Sequence, residues 1–190
     1  SESGFEEMIK KAEKSDLVIA VVGESAFMSG EAASKVNLNL PGAQEKAMLQ
    51  LAALSVPCIA VLVSGRPLTI GKLQNNPGIG AILETWHMGC ESGNAMADLL
   101  FGKCNPSGKL TVTFANEAAQ EPMYYNHPNT GKPGGKFKFT SKYQDAPVEP
   151  LYPFGYGLSY TAFAYSGMRV SKKKLELGDT LNCEICVRNT

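Results

Sequence analysis

The sequence predicts an α/β fold, with a mainly parallel sheet flanked by helices (an α/β sandwich) and a short β-only C-terminal piece. Apolar runs rich in β-branched residues occupy residues 18–22, 59–63 and 81–83, and amphipathic helical patterns separate them. A strand that is covered on both faces gives such a continuous apolar run, which is typical of parallel sheets. After about residue 158 the periodicity is that of strands alone.

The elements follow in a regular order along the chain. A first helix over residues 5–16 places Phe5, Met8, Ile9 and Ala12 on one face. A second helix begins near Pro41, where proline is tolerated, and a third ends at Gly102. A shorter strand is predicted over residues 108–114, after the turn "NPSG". Two further strands are predicted over residues 163–171 and 179–189.

Composition excludes several classes of function. The chain has 190 residues, of which 44% are hydrophobic, and 18 basic residues balance 18 acidic ones. Without a basic stripe or a polybasic arm, neither nucleic-acid binding nor attachment to an anionic membrane is predicted. No apolar run approaches the roughly 20 residues that span a bilayer. The first residues lack the apolar core of a signal peptide, so the chain is expected to be either cytoplasmic or an internal piece of a longer chain. The last residues, "LNCEICVRNT", stop inside a strand pattern, which favours the second expectation.

The cysteine and histidine patterns predict neither a disulfide framework nor a metal site. Five cysteines are an odd number, and Cys183 and Cys186 lie in a strand pattern that turns them to opposite faces. His87 and His127 are far apart in sequence and show no ligand spacing. The glycine patterns lack the spacing of dinucleotide and phosphate loops, and no nucleophile elbow is present. No cofactor or metal is expected.

Polar and charged residues follow the predicted strands where these end. Glu24 comes directly after the first strand, Gly65-Arg66 after the second and Trp86-His87 after the third. The carboxyl ends of parallel strands meet at one edge of a sheet, which is where ligands gather in open α/β folds. A long loop over residues 24–40, which carries Glu31, leaves from the same edge.

The residues alone leave the roles of these groups open. Glu24 and Glu31 are each catalytic or merely solvated, although Glu24 lies where it would bond nearby amides or a basic side chain such as Lys35. Trp86 either stacks on a sugar or, as aromatics more often do, fills the core. The Gly- and Lys-rich segment over residues 124–145, with aromatics interleaved, lines a ligand cleft or packs on the sheet.

Several longer motifs resemble glycoside hydrolase family 3. They are "VVGE…SGEAAS…LNLPGAQ", "VLVSGRPL", "AILETWHMGCESGNAMADLLFGKCNPSGKLTVTF", "FTSKYQD" and "LYPFGYGLSYTAF", and together they span nearly the whole chain. The most similar members are bacterial periplasmic β-glucosidases. The resemblance implies an enzyme of three parts: a TIM barrel with a nucleophilic aspartate, an α/β sandwich and a fibronectin-type-III-like module. Residues 1–157 would be the sandwich domain and residues 158–190 the first strands of the last module.

The resemblance also implies the site and its chemistry. Glu31, in "SGEAAS", matches the acid/base glutamate of retaining exo-acting β-glycosidases. The family's arginine four residues later is Lys35 here, and its aspartate two further on is Asn37. Lys35 and Tyr143 are candidates for substrate binding. The partners implied are a β-linked oligosaccharide or glycoside and the TIM barrel of the same full-length chain, in the periplasm or outside the cell.

These inferences lead to one functional hypothesis and one rival. The chain is expected to supply the acid/base loop of a β-glucosidase-like enzyme, and to be inactive without the barrel. The rival is a non-catalytic carbohydrate-binding or scaffold domain of a degenerate member, with Lys35 and Asn37 as traces of lost activity. We also expect the C-terminal strands, with unpaired edges, to be poorly ordered or to pair with a neighbour or the α/β domain.

Overall fold

The computed structural model describes residues 2–190, which form two compact units. The first unit runs up to Ser92 and includes Lys109–Tyr156. The second unit combines Gly93–Gly108 with Gly157–Thr190. Among the described residues, no helix has both the length and the apolar character that crossing a bilayer requires.

A three-stranded parallel sheet is the centre of the first unit. Strands β1 (Val18–Gly23), β2 (Cys58–Val63) and β3 (Ile79–Glu84) lie in the order β1-β2-β3. Both pairings are parallel, with Val18 opposite Cys58 and Ile59 opposite Ala81. The predicted mainly parallel sheet flanked by helices is therefore confirmed. Because β2 lies in the middle, its side chains are the most deeply buried.

Three helices pack on one face of this sheet. They are α1 (Phe5–Ala12), α2 (Gln44–Ala52) and α3 (Gly71–Gln74), and two short 3-10 turns cover Ala26–Met28 and Ala118–Gln120. The periodicity did not predict α3, because four residues are too few to show a helical repeat. The buried core combines residues of these helices, of β2 and of the connecting segments: Ala12, Leu40, Met48, Leu51, Cys58, Ala60, Leu62, Leu68, Ile70 and Leu73.

The burial predicted for the outer strands was wrong in part. Alternate residues of β1 face the core, but Ile19 is 40% exposed and Val21 is 61% exposed. In β3, Ala81 is also exposed. Both strands are at the edges of the three-stranded sheet, and the helices α1 to α3 cover only one of its faces. A continuous apolar run therefore indicated the strand correctly, but not how many of its faces are covered.

The strand predicted over residues 108–114 was also wrong. Only Phe114 pairs, in an isolated antiparallel bridge with Tyr152. Leu110 exchanges backbone hydrogen bonds with Gly155 and Tyr156, so the two segments do run side by side. However, the facing segment turns at Pro153, whose carbonyl accepts from the Tyr156 amide, and proline has no N–H for a ladder. The turn interrupts the pairing between the two contacts.

The second unit contains one helix and one antiparallel strand pair. Helix α4 (Ser92–Leu100) begins at the last residue of the first unit's opening segment and ends before Gly102. The positive φ of 73° at Gly102 suits a glycine that closes a helix, as predicted. The Tyr160 hydroxyl donates to the Leu99 carbonyl, which ties the end of α4 to the following segment.

The C-terminal strands pair with each other. Strands β4 (Phe163–Val170) and β5 (Cys183–Asn189) are antiparallel, and every residue of both is exposed. Each strand supplies backbone partners for the other. The expectation that this tail is poorly ordered, or pairs with a neighbour or with the α/β domain, stays a prediction. Cys183 and Cys186 are both free thiols, so the prediction that they do not join is confirmed.

Candidate active site

The carboxyl ends of the three parallel strands bring one set of polar residues together in the first unit. Glu24 follows β1, Arg66 follows β2, and Glu84 is the last residue of β3. The loop between β1 and α2, which we call the Glu31 loop (residues 24–43), starts at this edge. The convergence that the sequence predicted at the strand ends is confirmed by the contacts between these residues.

Glu24 is a buried carboxylate with two cationic partners. Its side chain is 0% exposed; Oε1 accepts from Lys35 Nζ at 2.9 Å and Oε2 from Arg66 Nε at 3.0 Å. Burial alone would raise the pKa of Glu24, but the hydrogen bond from Lys35 and the charge of Arg66 outweigh burial and lower it. Glu24 is therefore an ionised anchor. The prediction that it bonds Lys35 is confirmed, whereas the contact with Arg66 was not foreseen.

Arg66 holds the Glu31 loop at three points. Besides Glu24, its guanidinium donates from Nη2 to the carbonyl of Met28 at 2.5 Å and to the carbonyl of Ala33 at 2.8 Å. Its side chain is only 17% exposed. The rigid fork of donors on arginine suits such convergent acceptors. The two carbonyls lie on either side of Glu31, so one side chain fixes both flanks of the segment that carries it.

Glu31 lies at the corner of a tight turn. The Ala33 amide donates to the Gly30 carbonyl at 3.2 Å, which places Glu31 and Ala32 at the two central positions. Ala32 has a positive φ of 58°, which the second central residue adopts in type II and type I′ turns. Glu31 is exposed, and among residues 2–190 its carboxylate has neither a hydrogen bond nor an ion pair. A carboxyl group in this position is accessible to a molecule from outside.

The root of the loop is tied to α2 by Gln44. Its side-chain Oε1 accepts from the Gly23 amide at 2.6 Å, and its Nε2 donates to the Gly23 carbonyl at 2.9 Å. The amide thus pairs with the last residue of β1 as a neighbouring strand would. This contact explains why a glutamine stands at the end of the motif "LNLPGAQ". It fixes the point where the Glu31 loop leaves the sheet.

The other predicted candidates lie away from the turn. Lys35 is bound to Glu24, and Asn37 accepts from the Asn39 amide at 2.9 Å, a local turn contact. Tyr143 is 48% exposed in the irregular segment over residues 121–150. Among residues 2–190, no hydrogen bond joins Tyr143 to Glu31 or to Lys35. The structure therefore brings Lys35 to the anchor but does not group Tyr143 with it.

A second glutamate at this edge, Glu84, is partly buried and was missed by the sequence reasoning. Glu84 Oε1 accepts from the Trp86 amide at 2.9 Å, and Oε2 is buried without a hydrogen-bond partner among the described residues. Burial raises the pKa of Glu84 to about 7, although the bonds from Trp86, Ser64 and Thr85 lower it in part. Its place at the end of a buried strand, like that of Glu24, was the signal that could have identified it.

Trp86 and His87 complete this edge of the sheet. Trp86 has a left-handed backbone with a φ of 53°, and its ring packs on buried Phe114 at 5.9 Å between centroids. This contact favours the interpretation of Trp86 as a core residue. His87 is exposed and lies close to Gly65. Among the described residues, no group of three or more His, Cys, Asp or Glu side chains is arranged to hold a metal ion.

The fold and this edge define an α/β domain that anchors one carboxylate and presents another on a surface turn. A model of the glycosyl hydrolase family 3 C-terminal domain matches residues 2–160. The chain therefore belongs to glycoside hydrolase family 3, and the resemblance found in the sequence is confirmed.

Named relatives agree with this assignment. A periplasmic β-glucosidase of Salmonella typhimurium is 44% identical over 189 residues, covering 98% of this chain and 24% of that protein. A β-xylosidase of Formosa agariphila is 38% identical and is covered to 25%. The crystal structure of a β-glucosidase from Listeria innocua with gluconolactone has a TM-score of 0.90 at 37% identity, and covers 100% of this chain and 26% of its own. The chain spans about a quarter of each of these relatives.

Proposed function

We propose that this chain is the C-terminal α/β part of a retaining β-glycosidase of the β-glucosidase type, and that Glu31 is its acid/base residue. The observation that carries the proposal is the exposed Glu31 carboxyl group, placed on a turn whose flanks are both bonded to Arg66. A proton donor for a substrate needs this combination of access and fixed position.

The proposed reaction has two steps. In the first, an aspartate nucleophile attacks the anomeric carbon and the glycosidic C–O bond breaks, while Glu31 gives its proton to the departing oxygen. In the second, Glu31 takes a proton from water, whose oxygen attacks the anomeric carbon and displaces the aspartate. Two displacements retain the β configuration, and Glu31 ends as it began, protonated.

Glu24 is poorly suited to this role. Its carboxylate is fully shielded and bonded to two cations, which lower its pKa. At neutral pH it has no proton to give, and its bonds to Lys35 and Arg66 keep it at the root of the loop. The two glutamates of the loop thus have different tasks: Glu24 anchors, and Glu31 reacts.

The rest of the enzyme would come from a longer chain. We propose that an N-terminal TIM barrel supplies the nucleophile, that residues 1–157 are the sandwich domain, and that residues 158–190 begin a fibronectin-type-III-like module. The substrate would be a β-linked glucoside or oligosaccharide, as the names of the relatives suggest, with xylosides as the nearest alternative. The name of the Salmonella typhimurium relative supports a periplasmic or secreted location.

The rival hypothesis of a degenerate, non-catalytic domain is weakened by the position of Lys35. Lysine replaces the arginine of the family pattern, yet its ammonium group still forms an ion pair with Glu24 at 2.9 Å. The substitution therefore preserves the anchor of the loop and is no sign of decay.

A Glu31→Gln variant of the full-length enzyme tests the proposal. It keeps the size of the side chain and removes the proton, so kcat/KM on methyl β-glucoside should fall by about 10²- to 10⁴-fold. 2,4-Dinitrophenyl β-glucoside, whose leaving group needs no proton, should keep most of its kcat/KM. Added azide should raise kcat on the activated substrate, because it attacks the glycosyl-enzyme without a base. Equal losses on both substrates without azide rescue would refute the assignment of Glu31.

A further inference from the structure

We infer that Gly65 and Arg66, at the end of β2, are positioning residues that set the place of Glu31, an inference that rests on the proposed function. Neither residue reaches the proposed proton donor itself. They act on the backbone to either side of it, through one close approach and one branched set of hydrogen bonds.

Arg66 is placed to act on the loop and not only on the ion pair. Its Nε donates to Glu24, while Nη2 donates to the carbonyls of Met28 and Ala33. Lys35 already gives Glu24 one charge partner, so charge balance alone does not call for the two carbonyl bonds. Those bonds connect the two chain segments on either side of the turn that carries Glu31. Their loss would let the turn move as a whole.

The backbone of Arg66 is itself held in place by a hydrogen bond. The Ser64 hydroxyl donates to the Arg66 carbonyl at 2.8 Å, and Ser64 is fully buried at the end of the central strand. The residue that bonds the Glu31 loop, Arg66, therefore follows closely after the most buried strand of the sheet. A site built on such an element is more accurate than one held by loops alone.

Gly65 provides the close approach. A Cβ atom at this position would lie 1.9 Å from Ser29 Oγ, 2.7 Å from Ser29 Cβ and 2.8 Å from His87 Nε2. Rotation of the serine hydroxyl does not remove the contact with its Cβ, so a larger residue must displace the loop two positions before Glu31. The missing side chain at Gly65 thus lets the loop rest against the end of β2.

The first test is Arg66→Lys in the full-length enzyme. Lysine keeps a charge beside Glu24 but cannot reach both loop carbonyls. A displaced acid costs most where protonation is needed, so kcat/KM on methyl β-glucoside should fall about 10- to 100-fold. On 2,4-dinitrophenyl β-glucoside the fall should be less than about threefold, since this reaction does not draw on the acid. The same change at exposed Arg169 of β4 is the matched control and should alter neither value.

Gly65→Ala provides a second route that leaves every charge in place. It should produce the same selective loss on methyl β-glucoside. Adding Ser29→Gly removes the two nearest of the three atoms that meet the new methyl group and leaves only the exposed His87 ring, which can rotate away. The double variant should bring the ratio of the two kcat/KM values back toward that of the wild type. This variant keeps the test open if Arg66→Lys does not fold.

The outcomes separate this inference from the proposed function. If Glu31→Gln changes the ratio of the two substrates, but Gly65→Ala and the folded Arg66→Lys lower both equally or not at all, the positioning role is refuted. If Glu31→Gln itself leaves the ratio unchanged, the proposed function fails first. Selective loss in all three variants supports both.

Discussion

Lys35 Nζ lies 2.9 Å from Glu24 Oε1, so an ion pair joins the root of the Glu31 loop to a residue beyond its turn. Arg66 occupies the other oxygen of the same carboxylate. The buried charge is therefore shared by two partly exposed cations, which reduces the cost of taking it out of water. This arrangement makes Glu24 a structural centre of the loop.

Replacing Glu24 by Gln should lower the free energy of unfolding by about 2 to 4 kcal/mol, because two cations lose their partner. The pKa of Glu24 is lowered in the folded state, so its contribution is fully present above the unfolded value near 4.5 and is lost as the pH falls below it. Urea unfolding of the 190-residue chain at pH 7 and at pH 3.5 measures both effects.

Glu7→Gln is the control for this experiment. Glu7 pairs with Lys11 on the exposed surface of α1, where both side chains are more than two-thirds exposed. Its loss should change stability little at either pH. If the two variants proved equally stable, the ion pairs of Glu24 would not anchor the loop.

The sequence predicted the positions of the helices and strands better than their burial and their pairing partners. Apolar runs identified all three parallel strands, because each is long enough to show its character. The exposure of Ile19 and Val21 could not be predicted, since the run does not reveal which strand is at an edge. The turn at Pro153, which prevents the strand over residues 108–114, depends on a segment about 40 positions away.

The site was predicted in the same uneven way. The position of Glu24 at a strand end correctly indicated a buried anchor, and Lys35 was near enough in sequence to be named as its partner. Arg66 is 42 positions from Glu24, and the contact depends on β1 and β2 being neighbours in the sheet. Glu84 carried the same positional signal, but only the structure shows that one of its oxygens is buried alone.

Ala32→Gly should stabilise the turn of the Glu31 loop. Ala32 has a φ of 58°, a region that costs an L-residue about 1 kcal/mol or more and costs glycine little. The greater freedom of glycine in the unfolded chain offsets part of this gain, so the net effect should be below about 1 kcal/mol. Urea unfolding checks the sign, and Ala33→Gly, without a positive φ, should be destabilising. Destabilisation by Ala32→Gly would contradict the turn.

The thiols should divide into two classes. Cys58 is buried in β2, and burial raises the pKa of its thiol, whereas Cys90, Cys104, Cys183 and Cys186 are exposed. Titration of the native chain with a thiol-specific disulfide reagent should therefore modify four cysteines, and urea should release the fifth. A native count of two would mean that a disulfide joins two of the exposed cysteines.

The 190-residue chain alone should not hydrolyse aryl β-glucosides above background. The proposed mechanism needs an aspartate nucleophile from the barrel, and Glu31 alone can only transfer protons. Incubation of the purified chain with 2,4-dinitrophenyl β-glucoside measures this directly, with the full-length enzyme as the positive control. Turnover by the chain that Glu31→Gln does not alter would place the nucleophile and the proton donor elsewhere in these residues.

Glu84 should produce a titration near neutral pH that Trp86 reports. The Trp86 amide donates to Glu84 Oε1 at 2.9 Å, and burial raises the pKa of this carboxyl to about 7. Trp86 is the only tryptophan in the sequence, so its fluorescence comes from this one position. Ionisation of the neighbouring carboxyl should change the emission with a midpoint near pH 7.

The same group should make the folded chain less stable as the pH rises. Its pKa is raised on folding, so its contribution is fully present below the unfolded value near 4.5 and is lost as the pH rises to about 7. The loss amounts to at most about 3.5 kcal/mol, since each of the roughly 2.5 pKa units corresponds to about 1.4 kcal/mol.

Glu84→Gln, which cannot ionise, should remove both the fluorescence transition and this part of the pH dependence. His87→Gln is the control for the imidazole next to Trp86, and the transition should survive it. A transition that disappears in His87→Gln and persists in Glu84→Gln would assign the titration to His87 instead.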